Sequence, residues 1–342
     1  MMKNKLRKNC LLWIILLMPL LVSAQVIVDP NGRGDYKTIQ EAINSLPDSA
    51  DTDRTILIRN GIYNEQVRLA KHHVVLKGEN REKSIITGAI ADVLYRSGHN
   101  GDKNSGVLNL DANDITIRDL TITNTYGATY RAPVNMDFVD PETKNVVRRT
   151  VRQADHQFAL RSFSSTRLKV INCTIKAWGA DTVSPWNSKN GMYYFKDCLL
   201  VGGTDFYCPR GWAYAENCIF ITVSPSAAAI WHDGHENENM KSVLVNCNFK
   251  GSSPYLLARY HHDSQFYLIN CTFDKNLADQ PVFMAASAKG VKLGTRAYFY
   301  NCRKDGGNYG WLQNNLETAK GAPGPETVTA KWAYDGQWDP VK

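Results

Sequence analysis

The chain has 342 residues, with 40 Lys and Arg against 33 Asp and Glu, a formal charge of +7. Four of those cations, Lys3, Lys5, Arg7 and Lys8, crowd the first 24 residues, so the remainder carries only +3. That excess is too small to point to nucleic acid, though a mildly basic face would suit a polyanionic substrate. No apolar run beyond the opening segment is long enough to span a bilayer, which excludes a multi-span membrane protein.

The opening segment reads as a secretory signal peptide. Its basic stretch precedes the apolar run Cys10 to Val22, and "VSA" offers small residues for cleavage before Gln25. Cys10 opens the apolar run rather than following it, which argues against a lipid-attachment cysteine and so against a membrane anchor. The reading is therefore residues 1–24 as signal peptide and 25–342 as one domain, exported to the periplasm or the outside.

Next in the chain, "DYKTIQEAINSLP" predicts a short helix, with Ile39, Ala42, Ile43 and Leu46 on one face and Pro47 ending it. "TILIRNGIY" and "HHVVLKGEN" then alternate apolar and polar residues, as strands do. "ITIRDLTITN" (Ile115 to Asn124) repeats that pattern, and from there a frame recurs: Asn172-Cys173, Asp197-Cys198, Asn217-Cys218, Asn246-Cys247, Asn270-Cys271 and Asn301-Cys302. The cysteines are 25, 20, 29, 24 and 31 residues apart, and Leu120 holds the cysteine position in the earlier copy.

A short β-rich segment recurring at such intervals is the signature of a solenoid. The expected fold is all-β, a parallel β-helix whose open end the N-terminal helix caps. Cysteines at one place in successive coils would form a column of buried thiols. The alternative is several disulfides. Cys208 lies outside the frame, as either a packed cysteine or a catalytic thiol. Two polar stretches, Asp137 to Gln157 and Ala227 to Ser242, read as long loops leaving the stack. The segment from Gly306 to Lys342 shows little strand pattern and is expected to pack along the outside.

Three polar clusters fall at related places in successive coils: "DHQFALRS" with Gln157, "KAWGADTVSPW" with Asp181 and "GGTDFYCPRG" with Asp205. Asp181 and Asp205 follow their coil cysteines at similar offsets, so stacking brings them to one surface patch. Arg259 in "LLARYHHDSQF" comes from a later coil. Neighbouring carboxylates cannot both ionise easily, so one is raised in pKa while the other, paired with Arg, keeps its charge. The plain alternative is a pair of solvated surface aspartates.

The order of several motifs separates these readings. "VDPNGRGDYKTIQEAINSLP", "RTILIRNGIYNEQV", "VVLKGEN", "SIITG", "DITIRDLTITNTYG", "HQFALRS", "ADT", "YYFKDCLLVGGTDF", "LLARY" and the tail "VTAKWAYDGQWDP" together resemble the pectin methylesterase (pectinesterase) family, and its bacterial members in the tail. The resemblance implies a right-handed parallel β-helix. It implies hydrolysis of methyl esters on galacturonic acid residues of pectin, releasing methanol, with no metal or other cofactor. By motif, Asp205 is the implied nucleophile and Asp181 the acid that protonates the departing methoxide, then the base that activates water. Arg259 would hold Asp205 ionised, and Gln157 would donate to the oxyanion. Phe206, Tyr207, Tyr260, His261 and Trp186 are the expected lining of the sugar groove. The implied partner is a methylesterified pectic polysaccharide or oligosaccharide, bound by a monomer.

The chain departs from the family at three places. Ala180-Asp181-Thr182 stands where the family has Gln-Asp-Thr, so a second oxyanion donor is lost. Asp205-Phe206-Tyr207-Cys208-Pro209 replaces Asp-Phe-Ile-Phe-Gly, and Leu257-Ala258-Arg259-Tyr260-His261 replaces Leu-Gly-Arg-Pro-Trp. Either the site is retuned for another methylesterified uronide, such as rhamnogalacturonan-type pectin, with His261, His262 or Tyr207 as the replacement donor. Or the protein is a weak enzyme or a binding protein. Retention of both aspartates and Arg259 favours retuning. A lyase or galacturonase would share the fold, but the acid cluster a lyase needs for calcium is missing from the sequence. His232, Asp233 and His235 could suggest a metal, but not at the His-Glu-x-x-His spacing. Trp212 and Trp231 are either sugar platforms or packing residues.

Overall fold

The recurring Asn-Cys frame sets the path of the chain. In the computed structural model, which describes residues 25–140, 143–225, 229–233, 237–321 and 324–342, each frame marks a corner. The Asn or Asp adopts a left-handed backbone, with φ between 50° and 58° at Asp119, Asn172, Asp197, Asn217, Asn246, Asn270 and Asn301. Short polar side chains tolerate that conformation better than other non-glycine residues. The corner turns the chain from one sheet into the next and points the following side chain inward. Cys173, Cys198, Cys218, Cys247, Cys271 and Cys302 are accordingly buried and free, stacked below Leu120 in a column. Cys208 is also free and buried, its thiol donating to the Val183 carbonyl at 3.4 Å.

Outside the column, the corner amides bond from coil to coil. Asn172 donates to Asp119 at 2.8 Å, Asn270 to Asn246 at 3.2 Å and Asn301 to Asn270 at 2.9 Å. Inside, aromatic rings follow the same rule. Phe220, Phe249 and Phe273 stack with centroids 4.8 Å and 4.9 Å apart, the spacing of neighbouring strands.

Three strand columns result. The first holds ten strands in chain order, from Val26–Val28 to Thr295–Tyr300. The second holds nine, from Gly61–Asn64 to Arg303–Lys304. The third runs from Val67–Leu69 through Leu160–Ser162 and Val183–Pro185, then across a bridge at Tyr207 to Ala229–Asp233, Leu256–Tyr260 and Phe283–Met284. All pairings within the columns are parallel, so the chain is a right-handed parallel β-helix.

Helix α1 (Ile39–Ser45) lies over the first coil, buries Ile39, Ala42 and Ile43, and starts with a Thr38–Glu41 capping box. The segment after residue 306 forms 3-10 turns and a short helix, Ala330–Ala333, against the outer face of the first column. Tyr334 there donates to the Tyr193 carbonyl at 2.7 Å. No helix among the described residues is long and apolar enough to cross a membrane.

Both expected loops need correction. Residues Val134–Val139 and Val146–Val151 pair as an antiparallel hairpin standing off the stack. Its many charges sit on exposed strand faces, which hid the alternation. Ala229–Asp233 is a strand of the third column, and Lys241–Val245 opens the next strand of the first. A second helix, α2 (Asp92–Gly98), was not expected. The opening segment 1–24 lies outside the described residues.

Candidate active site

Asp181 and Asp205 each precede a position of the third column, in adjacent coils, and each sits at a left-handed corner with φ of 57° and 50°. The Asp181 N–H donates to the Thr204 carbonyl at 3.2 Å, so the two aspartates are locked one coil apart. Glycines make the approach possible. A Cβ on Gly203 would stand 2.8 Å from the Trp178 carbonyl oxygen, and one on Gly202 would meet Phe206 at 2.2 Å.

Both carboxylates open into one cavity of about 340 Å³, although each residue is more than nine-tenths buried. Arg259 reaches Asp205 from two coils further on. Its Nε donates to Oδ1 at 3.1 Å and its Nη2 to Oδ2, a two-pronged pair. Burial pushes the Asp205 carboxyl above its ordinary range, and Asp181 adds to this, while Arg259 and Arg210 pull the other way. The net direction is upward. His261 also lines the cavity, and burial beside Arg259 and Arg210 pulls its imidazole down to about 4, so it is neutral at pH 7.

Several expected site residues lie elsewhere. Gln157 is fully buried and does not line the cavity. Its Oε1 accepts from the Gly127 N–H at 2.9 Å, and its Nε2 is taken by the Gln153 and Asp155 carbonyls. The residue facing the cavity is its neighbour His156, whose Nε2 is 3.6 Å from Asp181 Oδ1. His156 pairs in register with Ala180, the residue that stands in place of Gln in the Gln-Asp-Thr motif. Phe206, Tyr207 and Tyr260 belong to the core rather than the groove, at 0%, 1% and 5% exposure. Side chains that follow the corner turn inward, and Tyr207 packs edge-on to Phe195. Trp212 and Trp231 are likewise buried, which leaves Trp186, 37% exposed, on the cavity wall. The His232, Asp233, His235 group runs into residues 234–236, outside the described residues.

The cavity also contains residues that the sequence reading passed over. Asp92 and Arg96 come from α2, and Phe158, Arg161 and Arg210 complete the wall. His156, Arg161 and Arg210 stood inside motifs already singled out, so their chemistry was visible and only their facing was not. Asp92 and Arg96 come from a distant coil and carried no such signal.

A family model described as Pectinesterase matches residues 25–152, ending before the two aspartates. A probable pectinesterase/pectinesterase inhibitor 58 of Arabidopsis thaliana is 26% identical over 242 residues, 69% of this chain and 37% of the relative. Putative pectinesterase 11 of the same plant is 26% identical over 238 residues, 68% of this chain and 57% of the relative. The chain thus spans between about a third and just over half of these two relatives. The fold is similar to that of pectin methylesterase from Erwinia chrysanthemi, with a TM-score of 0.70 at 20% identity, covering 92% of this chain and 98% of that one. It is also similar to pectin methylesterase from carrot, with a TM-score of 0.66 at 20% identity, covering 93% and 97%. Motif order, coil architecture and these matches agree: the chain has the fold of the pectin methylesterases and is similar in sequence to pectinesterases, most clearly over residues 25–152.

Proposed function

We propose that this protein is an aspartyl esterase that hydrolyses methyl esters of galacturonic acid residues in pectin, releasing methanol. One observation carries the reading: a buried Asp205 held two-pronged by Arg259, opening with Asp181 into one cavity. A pectin methylesterase of the same fold binds a hexasaccharide, which supports a sugar chain as ligand.

In this mechanism an Asp205 oxygen attacks the ester carbonyl carbon, and the carbonyl oxygen takes the negative charge. Asp181 gives its proton to the departing methoxide, which leaves as methanol. The acyl group then rests on Asp205 as an anhydride. Asp181, now a carboxylate, takes a proton from water, and the resulting hydroxide attacks the acyl carbon. Asp205 departs as a carboxylate and the uronic acid is freed. Arg259 keeps Asp205 oriented and ionised. Gln157 has no amide hydrogen left for the oxyanion, so that role passes to His156 and neutral His261, both on the cavity wall.

The wider reading is a single domain over residues 25–342, exported behind the segment 1–24 and acting as a monomer. The replacement of the usual donors and the arginine-rich wall favour a specialised glycan, with rhamnogalacturonan-type pectin as the first candidate.

Methanol release by residues 25–342 tests the proposal. Highly methylated homogalacturonan and a rhamnogalacturonan fraction are compared, with Asp205→Asn as control. The expected result is release from at least one glycan, lowered about 10⁴-fold in the variant. A folded wild-type protein that releases none would instead support a uronide-binding protein of the same fold.

A further inference from the structure

The terminal segment does more than cover the first strand column. Between it and the strands Ser264–Ile269 and Thr295–Tyr300 lies a cavity of about 810 Å³, which shares no lining residue with the cavity of Asp181 and Asp205. Its floor is aromatic. Tyr298 and Trp332 flank the buried Tyr267, with ring centroids 5.0 Å and 5.1 Å from it. Both are partly exposed and line the cavity. An apolar ring face beside polar groups is a surface on which a pyranose can stack. The polar groups here include the amides Gln265 and Asn239 and three cations, Lys241, Arg296 and Lys320.

The cations differ in how far the protein itself satisfies them. Lys241 is buried and paired with Asp335. Arg296 spends one bond on the fold, its Nη2 donating to the Glu238 carbonyl at 2.7 Å. Neither Arg296 nor Lys320 has a carboxylate oxygen within 4.0 Å among the described residues. Two carboxylates line the cavity: Asp335 is neutralised by Lys241, and Glu238 is exposed. The lining thus keeps an excess of positive charge, on groups with no anion of their own. A guanidinium with an ammonium beside it suits a carboxylate. The ring faces and amides suit the sugar that bears it.

We propose that this cavity is a second saccharide site, which holds a uronate residue of a pectic chain on a face of the rod other than the catalytic one. Arg296 and Lys320 receive the carboxylate, and Trp332 receives the face of the sugar. The choice of ligand rests on the esterase reading. The site goes beyond it, because it grips the polymer away from the ester that reacts.

Fluorine NMR of fluorotryptophan-labelled protein tests the proposal, with the Trp332 signal assigned through Trp332→Phe. The probe is the α-1,4-linked trimer of galacturonic acid, which contains no ester, and the neutral galactose trimer is its control. The Trp332 signal should shift saturably with the acid trimer, at an affinity at least about tenfold above that for the neutral one. Arg296→Gln should weaken that affinity at least about fivefold. Glu238→Gln, which removes a like charge, should tighten it about twofold. Trp186, in the catalytic cavity, should titrate unchanged in both variants. An unmoved Trp332 signal, or equal affinity for the two trimers, would overturn the proposal. So would full affinity in Arg296→Gln, or in Lys320→Gln, at an exposed side chain, if Arg296→Gln fails to fold. Saturable binding at Trp332 in a wild-type protein that releases no methanol would reject the esterase and leave this site standing.

Discussion

At the scale of single residues, the cavity couples groups pushed in opposite directions. Burial raises Asp205 above the ordinary 3.8, so on acidification the nucleophile is protonated earlier than a solvated aspartate. The folded state then takes up that proton more readily than the unfolded one. This contribution to stability is present below 3.8 and is lost as pH rises through the folded value. His261 works the other way. Its value falls from 6.5 to about 4, so its contribution is present above 6.5 and is lost as pH falls toward 4. The acid limb of kcat/KM should therefore lie above 3.8. Arg259→Gln removes a group that pulls Asp205 down, and should move the limb up by about one unit or more. A limb that stays in place in a pH–rate profile of the variant would exclude Asp205 as its source. His156→Ala should lower kcat about 10²-fold with little change in KM, because a donor to the oxyanion acts chiefly in the transition state. The sequence made the two aspartates and Arg259 legible because their motifs are rigid. It placed Gln157 at the site, whereas the structure buries Gln157 and turns its neighbour His156 to the cavity. Which of two neighbours faces a cavity is decided by the corner at Ala180 and Asp181, and alternation alone does not locate a corner.

At the scale of the element, the corner is the repeating device. Asn246 has φ of 54°, donates to Asn217 at 3.4 Å and accepts from Asn270 at 3.2 Å. Asn246→Ala places a less tolerant residue in the left-handed region and breaks the amide ladder. It should cost about 1–2 kcal/mol, and Asn246→Gly less, because glycine keeps the conformation. Thermal melts should separate the two, at roughly 2–4 °C per kcal/mol. The thiol column gives a chemical check. Native protein should resist alkylation at the six column cysteines and Cys208, whereas all seven should react after unfolding without a reductant. A need for reductant would reveal disulfides. The coil repeat was readable because polar and apolar residues recur at fixed offsets from each Asn-Cys pair. The hairpin Val134–Val151 was not. Its strands bury only Phe138 and Val151, Phe138 under Arg96 of α2, while Val134, Val139, Val146 and Val147 are exposed, so no apolar face alternates along them.

At the scale of the molecule, the cavity draws on side chains from Asp92 to His261. Only the stacking of coils brings them together, so the site cannot be reduced to a shorter fragment. The terminal segment has its own part in holding that stack. Its Tyr334 bonds to Tyr193, Asp335 accepts from Trp212 at 3.1 Å and pairs with Lys241, and Trp332 lies edge-on to Tyr267 with ring centroids 5.1 Å apart. Four successive coils are thus fastened by one strap.

That strap bears on how the rod would fail under load. In a simple solenoid each coil contacts only its neighbours, so tension on one end peels coils away one by one. Here the chain's last segment is anchored at Tyr193, 141 residues upstream, so a pull on the C terminus is delivered to the middle of the rod before its final coil feels it. Force applied between the ends should meet one high rupture, when the strap tears off, followed by a staircase of smaller steps.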